Sequence, residues 1–162
     1  TPLQMARVAA LVANGGRVVR PHLVRATAAG PVAPEPPWPI GIHPETIAVV
    51  KEGMRTVVAG GTGWRARRSS VTVCGKTGSA QVVAKARLAR APGVRDLLPH
   101  GWFLAFAPAD RPRIAIAVLV EHGGSGGEAA APVARQILAH YFGLDRPPSV
   151  GAPAAVDTEA ED

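Results

Sequence analysis

Hydrophobic residues recur at helical spacing in three segments of the chain. The first begins with a capping-box pattern, Thr1 with Gln4 three residues later, and ends at the Asn-Gly-Gly of 14–16. The second helix is predicted over about 44–58, with its apolar residues on one face, and the third over about 128–142. Few polar residues interrupt the first helix, which indicates that it is buried on most sides and that packing partners lie upstream of it.

Other segments have the composition of β-strands. A strand is predicted over 71–83, and two apolar strands, 102–107 and 114–121, are joined by a Pro-rich turn that makes a hairpin. A shorter strand over 17–24 comes earlier, and the six prolines of 28–44 predict an extended surface loop without sheet or helix. The order of elements predicts an α/β (α+β) fold, in which helices flank an antiparallel sheet.

The end of the chain differs in composition from the rest. Residues 144–162 are rich in Pro and Ala and then acidic, which is typical of a disordered tail, so residues 1–143 form the predicted folded unit. The chain is 47% hydrophobic and 19% charged, which excludes a wholly disordered protein. No apolar run approaches the roughly 20 residues of a membrane-spanning helix.

The charge balance is basic, with 18 Lys and Arg against 12 Asp and Glu. Only eight of the acids lie in residues 1–156, which leaves that part of the chain with a net charge of +10. A non-catalytic module that binds a polyanion through the arginines at 65–68 and in a long basic loop at 84–100 is therefore one hypothesis. We favour the opposing interpretation, in which abundant Arg, Ala, Gly and Pro reflect a GC-rich genome and the charges are solvated surface.

One tripeptide in the predicted strand carries candidate chemistry: Lys76-Thr77-Gly78, followed by Ser79. A cation on a strand that lines a cleft can hold a carboxylate and lower the pKa of a neighbouring hydroxyl. Gly78 lets a ligand backbone approach closely. Strand alternation puts Lys76 and Gly78 on one face and Thr77 and Ser79 on the other, so they converge only on a ligand that lies along the strand edge.

The residues around this tripeptide carry a family resemblance. Lys-Thr-Gly accompanies Ser-x-x-Lys and Ser-Asp-Asn in penicillin-binding proteins and class A β-lactamases. In order and spacing, the flanking segments resemble the end of the transpeptidase domain of class B penicillin-binding proteins, elongation type (penicillin-binding protein 2), over about 1–143. These segments are Thr1-Pro-Leu-Gln-Met-Ala, Asn14-Gly-Gly, Arg20-Pro-His-Leu, Gly61-Thr-Gly, Gly75-Lys-Thr-Gly-Ser-Ala-Gln, Gly101-Trp-Phe-Leu-Ala-Phe-Ala-Pro and Glu121-His-Gly-Gly-Ser-Gly-Gly.

The resemblance implies a role for each residue of the motif. Lys76 would position the proton network of a serine nucleophile and the substrate carboxylate. Thr77 and Ser79 would hydrogen-bond the terminal carboxylate of a D-Ala-D-Ala stem peptide or of a β-lactam, with Gly78 beside them. The backbone N–H of Ser79 would be one donor of the oxyanion hole. Trp102 would lie near the cleft floor, although alternation groups it with Leu104 and Phe106 and favours core packing.

The nucleophile that this chemistry requires is missing from the chain. Ser-x-x-Lys needs a Ser three residues before a Lys, and residues 48, 73 and 82 are Ala, Val and Val. The second motif, Ser-x-Asn or Ser-x-Asp, is also absent. A nucleophile must come from elsewhere, most simply from upstream sequence, and the Thr at residue 1 fits that interpretation. We therefore expect the chain to be inactive alone.

The parent protein implied by the resemblance is a serine D,D-transpeptidase that cross-links peptidoglycan, binds penicillin and acts in elongation and cell shape without a cofactor. It would be anchored in the inner membrane by an N-terminal helix and face the periplasm, with a polytopic membrane glycosyltransferase as its partner and no nucleic acid. A D,D-carboxypeptidase or a β-lactamase-like hydrolase is the enzymatic alternative.

The remaining candidate residues have structural interpretations. Cys74 is expected to be a small buried strand residue, and the five histidines show no ligand spacing, so no metal site is predicted. The glycine-rich segment 123–127 lacks Walker spacing and is interpreted as a flexible connection. An apolar stripe on the last helix is expected to face the core; it consists of Ala130, Val133, Ile137, Leu138 and Tyr141.

Overall fold

The computed structural model describes residues 1–82 and 94–144. The predicted tail after residue 144 and most of the predicted basic loop lie outside these residues. The α-helices of the described part are α1 (Pro2–Ala13), α2 (Pro44–Ala59) and α3 (Ala131–Tyr141), and a π-helical turn, Gly126–Ala130, leads into α3. Two short 3-10 helices are Trp64–Ala66 and Arg95–Leu97. The strands are β1 (Arg17–Val18), β2 (Ala26–Thr27), β3 (Gly30–Pro31), β4 (Trp38–Pro39), β5 (Cys74–Ala80), β6 (His100–Ala107) and β7 (Ile114–Val120). No helix among the described residues is long and apolar enough to cross a membrane.

The central sheet is antiparallel, in the order β5-β6-β7. Cys74 pairs with Phe106 at one end of β5, and Ala107 pairs with Ile114 where the predicted hairpin turns. The hairpin and the antiparallel pairing are confirmed. β5 begins later than the predicted 71–83, because the Thr72 carbonyl accepts from the N–H of Ala109 in the hairpin turn and not from a β6 residue.

Each face of the sheet has its own core. On one face, Phe103 and Ala105 pack with Ala134 and Leu138 of α3. On the other face, Phe106 and Cys74 pack with Val12 of α1 and Met54 of α2. α1 and α2 therefore lie on the side of the sheet opposite to α3. This two-sided arrangement decides which residues of β5 and β6 remain available for a site.

The capping box of α1 is confirmed, but the predicted burial of α1 is wrong for the described chain. Gln4 N–H donates to Thr1 Oγ1 at 3.3 Å, and the Thr1 amino group donates to the Gln4 side chain at 2.8 Å. Only Ala9 and Val12 are buried, while Leu3 is 59% exposed and Val8 47% exposed. One face of α1 packs on the sheet and α2, and the apolar side chains of Leu3 and Val8 remain about half exposed.

The prediction for residues 17–44 is partly wrong. The strand predicted over 17–24 is reduced to β1, which pairs with β4, and β2 pairs with β3 inside the loop that was expected to hold no sheet. Each of these strands has two residues. Proline has no N–H to donate, so the prolines of this segment permit only such short ladders.

The buried face of α3 is not the predicted stripe. Ala130 and Leu138 are buried as expected, but Val133, Ile137 and Tyr141 are 38–45% exposed. The residues that α3 buries are mostly smaller: Ala131, Ala134 and Ala139, together with Leu138. Small side chains let a helix pack close to a sheet.

Candidate active site

The Lys-Thr-Gly segment lies along a strand at the edge of the described sheet. β5 pairs with β6 alone, so its other edge is free among the described residues. A cavity of about 390 Å³ follows this strand, and it is lined by Thr1, Met5, Lys76, Thr77, Gly78, Ser79, Ala80, Trp102 and Leu104. The four residues of the motif thus line one cavity, in the arrangement that suits a ligand lying along the strand edge.

Lys76 is exposed and stands where two cavities meet. It lines the cavity beside Thr77 and Ser79, and it also lines a second, apolar cavity of about 440 Å³ between α1 and α2. Its ammonium group donates to the Thr77 carbonyl oxygen. Among the described residues Lys76 forms no ion pair, so its charge is available to an anionic ligand.

Thr77 faces the opposite side of the strand, as alternation predicts. Its Oγ1 lies 2.7 Å from Oγ1 of Thr62, in the turn that follows α2. That turn is tight, because a Cβ at Gly61 would lie 2.9 Å from Val57 Cα and one at Gly63 would lie 2.9 Å from the Phe103 ring. The turn therefore fixes the Thr62 hydroxyl against Thr77.

The glycine-rich segment supports the motif strand from behind. A Cβ at Gly126 would lie 2.0 Å from the Trp102 carbonyl oxygen and 2.5 Å from that of Gly78, and one at Gly127 would lie 2.3 Å from the Thr62 carbonyl oxygen. Both glycines are buried. Gly126 and Gly127 are therefore a packed support for the paired strands, and for these two residues the prediction of a flexible connection is wrong.

The comparison with known proteins decides the family. Residues 1–139 match the family described as the penicillin binding protein transpeptidase domain. The chain belongs to this transpeptidase family. It is 36% identical to peptidoglycan D,D-transpeptidase MrdA of Haemophilus influenzae, covering 88% of this chain and 24% of the relative, and 42% identical to MrdA of Acinetobacter baumannii, covering 82% and 21%. The chain thus spans about a quarter of the length of these relatives.

Solved structures show the same fold. Pseudomonas aeruginosa penicillin-binding protein 2, in complex with WCK 5153, superposes with a TM-score of 0.72 at 36% identity, covering 96% of this chain and 32% of that one. The penicillin G acyl-enzyme of Mycobacterium tuberculosis penicillin-binding protein A superposes with a TM-score of 0.67 at 32% identity, covering 88% and 32%. The predicted fold class and the predicted resemblance to penicillin-binding protein 2 are confirmed.

Two residues of this transpeptidase chain lie where the residue pattern alone did not put them. Trp102 is half-buried, pairs with Gly78 and lines the cavity together with Leu104. The core position favoured for Trp102 and Leu104 is therefore wrong. Phe103, between them, is the fully buried residue. Thr62 entered the sequence argument only as part of Gly61-Thr-Gly. A Thr between two glycines was its only signal, because its contact with Thr77 joins separate elements.

Cys74 lies on the motif strand but outside the cavity. Its side chain is fully buried against Phe106, and this burial raises the pKa of the thiol to about 11. A thiol with that pKa stays protonated at neutral pH and is a poor nucleophile. The expected structural role of Cys74 agrees with its position.

Proposed function

We propose that the chain is the C-terminal part of a serine D,D-transpeptidase that cross-links peptidoglycan stem peptides and is acylated by penicillin. The observation that carries the proposal is the Lys76–Ser79 strand, which has a free edge and lines a cavity in a chain of this family. The relatives are named peptidoglycan D,D-transpeptidases. The elongation role, the periplasmic location, the inner-membrane anchor and the glycosyltransferase partner belong to the same proposal.

Each motif residue has a role that its position permits. The Lys76 ammonium, at the junction of the two cavities, attracts the substrate carboxylate and holds the hydroxyl proton network of the serine nucleophile. Thr77 and Ser79 hydrogen-bond the carboxylate of a D-Ala-D-Ala terminus or a β-lactam that lies along β5. The Ser79 N–H stabilises the oxyanion, while Gly78 and Trp102 contact the ligand backbone.

The nucleophile is supplied by sequence upstream of this chain. The second cavity beside Lys76 is apolar, and the side chains around it that are more than 40% exposed include Val8 and Val50. An apolar element that packs there brings its own side chains next to Lys76. A Ser-x-x-Lys helix in that place completes the site that the described residues begin.

Labelling with a fluorescent penicillin tests this proposal. We expect the isolated 162 residues to remain unlabelled, and the longer protein, extended upstream through a Ser-x-x-Lys motif, to form a covalent adduct that withstands denaturing electrophoresis. Heat-denatured longer protein serves as the control for non-specific labelling. Labelling of the isolated chain would reveal a nucleophile within it and contradict the proposal. A separate assay uses a peptide donor ending in D-Ala-D-Ala, whose terminal D-Ala leaves as the serine ester forms. Transfer of the remaining peptidyl group to an added D-amino acid, in place of water, separates the transpeptidase from the D,D-carboxypeptidase and β-lactamase alternatives.

Thr62 is expected to tune this reaction through Thr77. In the longer protein, Thr62→Val removes the hydroxyl 2.7 Å from Thr77 Oγ1, which frees the Thr77 side chain to rotate away from the ligand. We expect the second-order rate of penicillin acylation to fall about three- to tenfold, the value of one net hydrogen bond. Thr62→Ser keeps the hydroxyl and is expected to retain the wild-type rate. Equal rates for Thr62→Val and Thr62→Ser would rule out the hydrogen bond as the cause.

A further inference from the structure

A basic surface with an exposed tryptophan begins two residues after Thr62. Trp64 is 56% exposed, and the Arg65 guanidinium lies 5.2 Å from the centre of its ring. A cavity of about 310 Å³ is lined by Trp64, Arg65, Arg67, Pro132 and Arg135. A second cavity of about 430 Å³ continues it, and there Arg67 and Arg135 are joined by Arg68, Ser69 and Ser70. We call these two cavities the Trp–Arg groove.

The Trp–Arg groove is built on buried anchors. Ala66, in the turn between Arg65 and Arg67, has no exposed surface, and it belongs to the core cluster that contains Ala131 and Ala134 of α3. Arg67 donates to the Ala59 carbonyl oxygen and Arg68 to that of Leu144, both at 3.3 Å. These bonds use one donor of each guanidinium and leave the others for a ligand.

Positive charge dominates the groove. Of its four arginines, Arg65 alone forms an ion pair among the described residues, with Glu128 at 2.7 Å. Guanidinium groups bind carboxylates in bidentate fashion, and they lose less hydration on doing so than ammonium groups. An aromatic face carries partial negative charge and attracts the electropositive C–H groups of an apolar ring face. Tryptophan flanked by arginines therefore suits a ligand with both ring faces and carboxylates.

We propose that the Trp–Arg groove is a second binding site for peptidoglycan. It holds a disaccharide-peptide outside the cavity that follows β5, which we call the reaction cavity. Trp64 stacks on a sugar ring, and Arg67 and Arg135 bind carboxylates of the stem peptide. The choice of ligand rests on the proposed function, since a transpeptidase acts on a polymer of acidic peptides on sugars. Thr62 touches Thr77 in the reaction cavity and is two residues from Trp64, so one polymer can occupy both places.

The site is tested on the longer protein after acylation with penicillin, which blocks the reaction cavity. Binding of a purified disaccharide-tetrapeptide is measured by calorimetry, and binding of sacculi by sedimentation. We expect Trp64→Ala to weaken disaccharide-tetrapeptide binding about tenfold, as for an aromatic anchor. Arg67→Gln and Arg135→Gln are each expected to weaken it about threefold, as for exposed ion pairs. Arg111→Gln, an exposed arginine in the β6–β7 turn, is the matched control and is expected to change nothing. Melting temperatures confirm that each variant is folded.

Two simpler ligands separate the contributions. Chitotetraose has sugar rings without carboxylates, so its weak binding is expected to depend on Trp64 and not on the arginines. Polyglutamate has carboxylates without sugars and is expected to show the reverse. Three results would each overturn the proposal. The first is failure of the acylated protein to bind sacculi, and the second is equal binding by all variants. The third is tighter binding of a DNA oligonucleotide that is unchanged by Trp64→Ala. Penicillin labelling is read from the same sample, so a protein that is not acylated argues against the proposed function. The loss of its binding in Trp64→Ala, Arg67→Gln and Arg135→Gln still reports on the groove.

Discussion

Replacing Lys76 with Ala in the longer protein is expected to slow acylation by penicillin about 10²–10⁴-fold, the range for loss of a group that moves or holds a proton in the transition state. Lys76 lines both cavities, and among the described residues no acid shares its charge. In the proposed role of Lys76, its removal takes away the cation that attracts the ligand carboxylate and holds the proton network of the nucleophile. Stopped-flow acylation with a chromogenic cephalosporin measures both effects, the first in the apparent affinity and the second in the limiting rate.

Lys51→Ala is the matched control for that experiment. Lys51 lies in α2, with its ammonium 5.9 Å from the centre of the Phe106 ring, and it lines neither cavity. Its removal is expected to leave acylation at the wild-type rate. Lys76→Arg keeps the charge but changes its geometry, and an intermediate rate is expected. Acylation of folded Lys76→Ala within twofold of wild type would contradict the assigned role.

Gly126→Ala is expected to be the most damaging single methyl addition near the site. The new Cβ would stand 2.0 Å from the Trp102 carbonyl oxygen and 2.5 Å from that of Gly78, and both neighbours are backbone atoms of paired strands. The strands must move apart to admit it, because no side chain can rotate out of the way. We expect the free energy of unfolding to fall by about 3 kcal/mol, at the upper end for overpacked sites. Urea denaturation of the transpeptidase domain measures this.

The displacement of β5 and β6 in Gly126→Ala should also change the rate of acylation. Gly78 and Trp102 line the cavity to which the proposed function assigns ligand binding, so acylation by penicillin is expected to slow in Gly126→Ala protein that remains folded. Gly60→Ala adds the same methyl group at an exposed turn with no atom within 4 Å of it, and should be nearly neutral in both measurements. A Gly126→Ala protein as stable as the Gly60→Ala protein would show that the turn can move away from the sheet without cost.

Local signals predicted the elements well where neighbouring residues decide the structure. The capping box at Thr1 and the helix from Pro44 depend on residues a few positions apart, and the β6–β7 hairpin on a short Pro-rich turn. Local signals failed where the partner is remote. Trp102 and Phe106 alternate alike along β6, yet α1 and α2 cover the Phe106 end and leave the Trp102 end facing a cavity.

The face of α3 shows the same limit. Its larger apolar residues, Val133, Ile137 and Tyr141, form a plausible stripe by periodicity, but the helix buries its alanines instead. Periodicity identifies the most hydrophobic face of a helix, whereas the space between the helix and the sheet determines how large the buried side chains can be. That space is set by Phe103 and Ala105 on β6, which no pattern within α3 reports.

The sequence by itself determined the family and the motif. Lys76-Thr77-Gly78 and its flanking segments are recognised by residue order and spacing alone, and residues 1–139 match the transpeptidase domain. It also determined the alternation that separates Lys76 from Thr77. Only the tertiary structure decided that Lys76 joins two cavities, that Thr62 holds Thr77, and that Gly126 lies against the carbonyl oxygens of Gly78 and Trp102. Each of these contacts joins residues on different elements, and their positions depend on how helices of particular side-chain size pack on the two faces of one sheet.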